Sequence, residues 1–199
     1  MTMKPMLALG LAAALMAGTA YAQTSQPSGA NPANQNAATA NQAGAQKASK
    51  ADQAFLKDAI QGDLSEVKAG QLAQEKGQSQ DVKSFGQMLQ QDHSQNLQQA
   101  QQLAQQSGVT PPTEPNAKQK AMYDHLSKLS GTQFDKAFAK DMVKDHKEDI
   151  AKFQKEAKKQ GPVAQFAQQT LPVLQKHLQT AQGIENAGAA VGSGNRSAK

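Results

Sequence analysis

The chain has 199 residues, a net charge of +5 and no cysteine. Without cysteine it forms no disulfide and carries no cysteine-linked lipid. Six Phe, two Tyr and no Trp supply no stacking platform, so nucleic acid is not an expected partner.

The opening stretch, MTMKPMLALGLAAALMAGTAYAQ, reads as an export signal. Lys4 precedes an apolar run from Met6 to Met16, and small residues lead to Ala20-Tyr21-Ala22. Cleavage is expected after Ala22. That removes one lysine and lowers the net charge from +5 to +4. The apolar run is too short to span a bilayer, and no later segment is apolar enough, so no transmembrane segment is expected in the mature chain. The expected location is the periplasm. Residues 23–50 have no large apolar side chain and no acid, and cannot bury enough surface to offset their ordering entropy. They read as a disordered leader, and 186–199 as a disordered tail. The expected folded domain is 51–185, with one core.

Within it apolar residues recur at helical spacing. A first long helix runs from about Ala51 to Lys76, with Leu56, Ile60, Leu64, Val67 and Leu72 inward and Gly77 as the stop. A second starts at Ser79 and carries Val82, Phe85, Leu89 and Leu97 to Gly108. The stretch VTPPTEP at 109–115 breaks the pattern, and a short helix follows from Ala117 to Leu129. A third long helix begins at Thr132, with Asp135 placed for a capping box, and runs to Gly161. Pro162 opens the fourth, in which Pro172 predicts a kink.

Two tight hairpins, at 77–79 and 161–162, and one connection of about 24 residues predict an all-α, ferritin-like four-helix bundle. In it a long crossover carries the extra short helix between the second and third long helices. An up-down-up-down bundle with an extra helix is the alternative. Lys136, Lys140, Lys144 and Lys147 form a stripe, but Asp135, Asp141, Asp145, Glu148 and Asp149 interleave with it. That pattern suits a solvated face; contact with anionic envelope polymers is the other reading.

LQQDHSQNL at 89–97 and MVKDHKEDI at 142–150 repeat Asp-His. His93 lies four residues from both Leu89 and Leu97, and His146 four from both Met142 and Ile150. Both imidazoles therefore sit on the apolar stripe, while Asp92 and Asp145 turn about 100° toward the flank. His177, three after Leu174 and four before Ala181, behaves alike. Each histidine lies 15 residues from its hairpin, about 22 Å at ~1.5 Å per residue, near mid-bundle. Glu66 in the first helix falls about 6 Å from that layer, on a line of small residues (Ala59, Gly62, Ala69, Ala73) that leaves room beside it.

One inward polar residue per helix at one level is how bundles build metal sites. Glu66, His93, His146 and His177 suit Zn²⁺, Fe²⁺ or Mn²⁺ by ligand type. The alternative is a buried hydrogen-bonded network, whose imidazoles would make stability fall below about pH 6. His125 is expected at the surface. Gln90, Val143 and Leu174 stand three before the histidines, so the Glu-x-x-His pairs of di-iron bundles are absent. No serine or cysteine nucleophile motif is present, so the reading leans against an enzyme.

FLKDAIQGDLSEVKAGQLAQEKGQSQDVKSFGQMLQQDH, KDHKEDIAKFQKEA and TLPVLQKHLQTA resemble the bacterial exported family called domain of unknown function 4142. The resemblance covers about 51–183 and rests on Glu66-Val67, the two Asp-His pairs, and Leu-Pro followed by His177. It implies a ferritin-like bundle and an envelope location, and no established reaction. The chain is thus expected to bind a metal ion in envelope metal handling or stress tolerance. The alternative is a non-catalytic envelope interaction protein.

Overall fold

Ser49 starts the first helix by a reciprocal cap. Its hydroxyl accepts from the Asp52 amide at 3.2 Å, and the Asp52 carboxylate accepts from the Ser49 amide at 3.3 Å. The computed structural model describes residues 48–194. The expected signal, nearly all of the expected leader and residues 195–199 lie outside the described residues. The described helices are α1 (Lys50–Lys76), α2 (Gln80–Gln106), α3 (Ala117–Ser127), α4 (Gly131–Ala157) and α5 (Pro162–Gly194). α5 thus runs past the boundary expected at 185. It also continues through Pro172, the residue expected to kink it. Pro172 and Gln168 are both exposed, so water can satisfy the Gln168 carbonyl that the proline leaves without a donor. Gly108 and Gly161, with φ of 71° and 101°, turn the chain out of α2 and α4 in a conformation that suits glycine.

Two polar contacts fix the topology. Asp135, near the start of α4, accepts from the amides of Gln78 and Ser79 at 2.9 and 2.8 Å. Its expected role, capping its own helix, is therefore corrected: it caps the start of α2 instead, and Ser130 makes no side-chain cap on α4. At the other end, Lys159 pairs with Asp52 at 2.9 Å. α4 therefore begins beside the α1–α2 hairpin and ends beside the start of α1. The connection carrying α3 runs the length of the bundle, as ferritin-like connectivity requires. α1 packs along α2 and α4 along α5; α2–α5 and α1–α4 contacts close the bundle, and α3 lies against α1 and α4.

α1 and α2 meet glycine on glycine. A Cβ on Gly70 would stand 2.5 Å from the Gly86 carbonyl oxygen, and one on Gly86 2.6 Å from that of Gly70. Ala69 and Ala73 are buried in the same seam. Part of the small-residue line read as space beside Glu66 is thus filled by the backbone of α2.

The core falls into two clusters. One, near the α1–α2 hairpin, gathers Leu72, Val82, Phe85, Leu89, Phe134, Phe138 and Met142, with Leu126 supplied by α3. The other, near the α4–α5 hairpin, gathers Leu56, Ile60, Ala100, Phe153, Phe166 and Leu174. Between them lies a buried polar layer of Asp63, Glu66, His93, His146 and His177.

Candidate metal centre

α2, α4 and α5 each present one histidine to this layer, because each places it at helical spacing among core residues. The side chains are buried, with His93 5% exposed, His146 1% and His177 0%. Ring centres lie 5.2 Å apart for His93–His177, 5.3 Å for His146–His177 and 5.9 Å for His93–His146. One ring nitrogen from each lies within 4.8 Å of the other two. Ring nitrogens about 2.0–2.1 Å from a tetrahedral ion place imidazole centres roughly 5 Å apart, so the rings already have nearly that spacing. The Phe85 ring, 6.1 Å from His177 and 6.5 Å from His146, covers one side.

Each imidazole is held by its other nitrogen. His93 Nδ1 donates to Asp63 Oδ1 at 2.8 Å, His146 Nδ1 to the Met142 carbonyl at 2.9 Å, and His177 Nε2 to Asp92 Oδ2 at 2.9 Å. All three partners only accept, which places a proton on each outer nitrogen. The remaining atoms, His93 Nε2, His146 Nε2 and His177 Nδ1, are buried and have no hydrogen-bond partner. Buried polar atoms without partners are uncommon. Three such nitrogens facing one another, each ring oriented by a carboxylate or carbonyl behind it, fit a bound metal ion. Asp63 is held in turn: the Asn96 amide donates to both its oxygens at 3.1 and 2.9 Å, and Thr170 Oγ1 donates to Asn96 Oδ1 at 2.8 Å.

The layer separates its charges unequally. Burial lowers His146 to about 3, with the neighbouring His93 and His177 adding to the effect. Burial likewise holds His177 down to about 4, despite Asp92. Burial also pulls on His93, but the hydrogen bond to Asp63 and the nearby Glu66 carboxylate outweigh it and lift the imidazole to about 9. Glu66 itself is raised by burial to about 8. Neutral His146 and His177 are ready donors, whereas His93 holds a proton that an incoming cation must displace.

The structure brings His93, His146 and His177 together. Glu66 is buried in the same layer, but its Oε1 lies 3.8 Å from His146 Nδ1, the outer nitrogen, so it stands outside the triangle of inward nitrogens. Its Oε2 has no hydrogen-bond partner. Asp92 does lie toward the flank, with its side chain 30% exposed, yet it reaches across to His177. Asp145 makes no comparable contact; burial and the adjacent Asp149 push its carboxyl up to about 6. His125 is exposed. The sequence reading missed Asp63, Asn96 and Thr170. The available signal was register: Asp63 is three before Glu66, Asn96 three after His93, and Thr170 seven before His177, all same-face spacings.

No described helix is long and apolar enough to cross a membrane. No curated protein matches the chain. Among solved structures it is similar to a DUF305 fragment from Deinococcus radiodurans, at a TM-score of 0.64 and 17% identity. That match covers 70% of this chain and 98% of the other, a likeness of fold. Residues 37–184 match the family described as Domain of unknown function (DUF4142), and the chain belongs to that family.

Proposed function

We propose that this domain binds one divalent metal ion, Zn²⁺, Fe²⁺ or Mn²⁺, through His93 Nε2, His146 Nε2 and His177 Nδ1. The observation that carries the reading is the set of three buried, unpartnered nitrogens at one level of the bundle. A purely structural polar network accounts for Asp63, Asn96 and Thr170, but leaves those nitrogens unpaired, and that favours the metal. Glu66, expected as fourth ligand, is read instead as a neighbouring carboxyl of the layer, since its Oε1 lies 3.8 Å from the outer nitrogen of His146. We further propose that the chain is exported by its first 22 residues and handles metal, or protects against metal stress, in the periplasm.

Elemental analysis of untagged protein tests the reading. One metal per chain is expected in the wild type and none in the His93→Ala/His146→Ala double variant. A wild-type chain that holds no metal, and whose melting temperature does not move with added Zn²⁺, Fe²⁺ or Mn²⁺, overturns it.

A further inference from the structure

A cavity of about 230 Å³ opens between α2 and α5 and ends on the histidine layer. Its rim includes the exposed Gln169 and Val173; its inner wall is formed by Asp92, His93, Asn96 and Thr170. We propose that this cavity is the port through which a hydrated divalent cation reaches the three imidazoles. The inference rests on the metal-binding reading above and adds the route.

Four observations support it. Of the three imidazoles, His93 has the most residual exposure, and it is the one that lines the cavity. Asp92 faces the cavity and also holds His177, so the carboxylate that first attracts a cation is tied to the second ligand. The other polar wall groups are amides and a hydroxyl, neutral oxygens able to replace hydration waters, and none of the described lining residues is lysine or arginine. At about 30 Å³ per water, the volume accommodates an ion with several inner waters.

The inward nitrogens themselves are sealed from solvent, so the floor has to open. Two bonds span the seam there: the His177–Asp92 bond, which orients a ligand, and one from Thr170 Oγ1 to Asn96 Oδ1 at 2.8 Å. The same hydroxyl has a second acceptor, the Phe166 carbonyl of its own helix, at 3.0 Å. With one proton to donate, it can release Asn96 without losing a partner. Thr170 is thus a positioning residue that latches the port.

The test is stopped-flow uptake and release of Co²⁺, a visibly absorbing stand-in for Zn²⁺, by the full chain. Val173→Trp, at the exposed rim, is expected to slow both rates about tenfold with an unchanged dissociation constant. Thr170→Val, which removes the latch, is expected to speed both. Lys152→Trp, on the exposed part of α4, is expected to change neither. Unaltered rates in Val173→Trp and Thr170→Val, or equal slowing in Lys152→Trp, overturn the port while leaving the metal site standing. A wild-type chain that takes up no Co²⁺ overturns both.

Discussion

His177 donates from Nε2 to Asp92 Oδ2 at 2.9 Å across the α2–α5 seam, and that bond turns Nδ1 toward His93 and His146. Asp92 is the partly exposed member of the pair, so it can be changed without opening the core. Asp92→Ala frees the imidazole to rotate and to change tautomer. The expected result is a fall in metal affinity of about 10–100-fold, read by chelator competition, while Asp92→Asn, which keeps an accepting oxygen, loses less. Equal affinity in Asp92→Ala would remove the orienting role.

Metal-free stability should decline above neutral pH. His93 is raised to about 9 in the fold from 6.5, so the stability it contributes is complete below pH 6.5 and is lost as pH rises toward 9. Glu66, raised from 4.5 to about 8, binds its proton more tightly in the fold, and stability falls between pH 4.5 and 8 as that proton is lost. His146 and His177 act oppositely: depressed to about 3 and 4, they cost stability as pH drops below 6.5. Asp145, at about 6, and Glu66 offset much of that loss between pH 4.5 and 6. The acid-side decline expected from the histidines alone is therefore blunted, and the steeper loss lies between pH 6.5 and 9. Each unmatched proton contributes about 1.4 kcal/mol per pH unit. Urea midpoints across pH 5–9 check this. Glu66→Gln should flatten the decline between pH 6.5 and 8 and uncover an acid-side loss below pH 6, and saturating Zn²⁺ should remove the His93 share of the alkaline decline by displacing its proton.

The three histidines are legible in the sequence because each interrupts an apolar stripe, and because equal counts from two hairpins place them at one height. The crossover is legible too, since a long connection with its own helix restarts the chain at the first hairpin. Asp63 is legible only through its spacing to Glu66: by residue type a carboxylate near the middle of a helix ordinarily points to water, and its burial depends on Asn96 arriving from α2. Asp135 misleads for a related reason. It has capping-box spacing to its own helix, but the amides of Gln78 and Ser79, 56 residues or more away in the chain, compete for it and win. Local spacing shows which side chains can cap, and tertiary packing decides which amides they meet.

Asp135→Ala follows from that geometry. The substitution leaves two amides at the start of α2 without their shared carboxylate and unties α4 from the first hairpin. A loss of about 1–2 kcal/mol is expected, measured by urea denaturation, with helix content retained. Asp135→Asn should recover part of it, because one oxygen can still accept. A loss confined to α4, with exchange protection at the start of α2 unchanged, would restore the local capping role.

Gly70→Ala tests whether the α1–α2 seam supports the metal layer. The new methyl would meet the Gly86 carbonyl oxygen at 2.5 Å and the Gln90 amide nitrogen at 2.9 Å, backbone atoms that no side-chain rotation can move. α2 must shift outward, at a cost of about 1–3 kcal/mol. His93 lies seven residues beyond Gly86 on the same helix, two turns along the same face, so the shift carries its imidazole away from His146 and His177. Affinity for Zn²⁺ is therefore expected to fall together with stability. A Gly183→Ala control, where a methyl meets nothing within 4 Å, should leave Zn²⁺ affinity unchanged and raise stability only by the ~0.5–1 kcal/mol of helix propensity. Loss of stability with unchanged Zn²⁺ affinity would show that the histidine layer tolerates displacement of α2, and that its spacing is not set by the glycine contact.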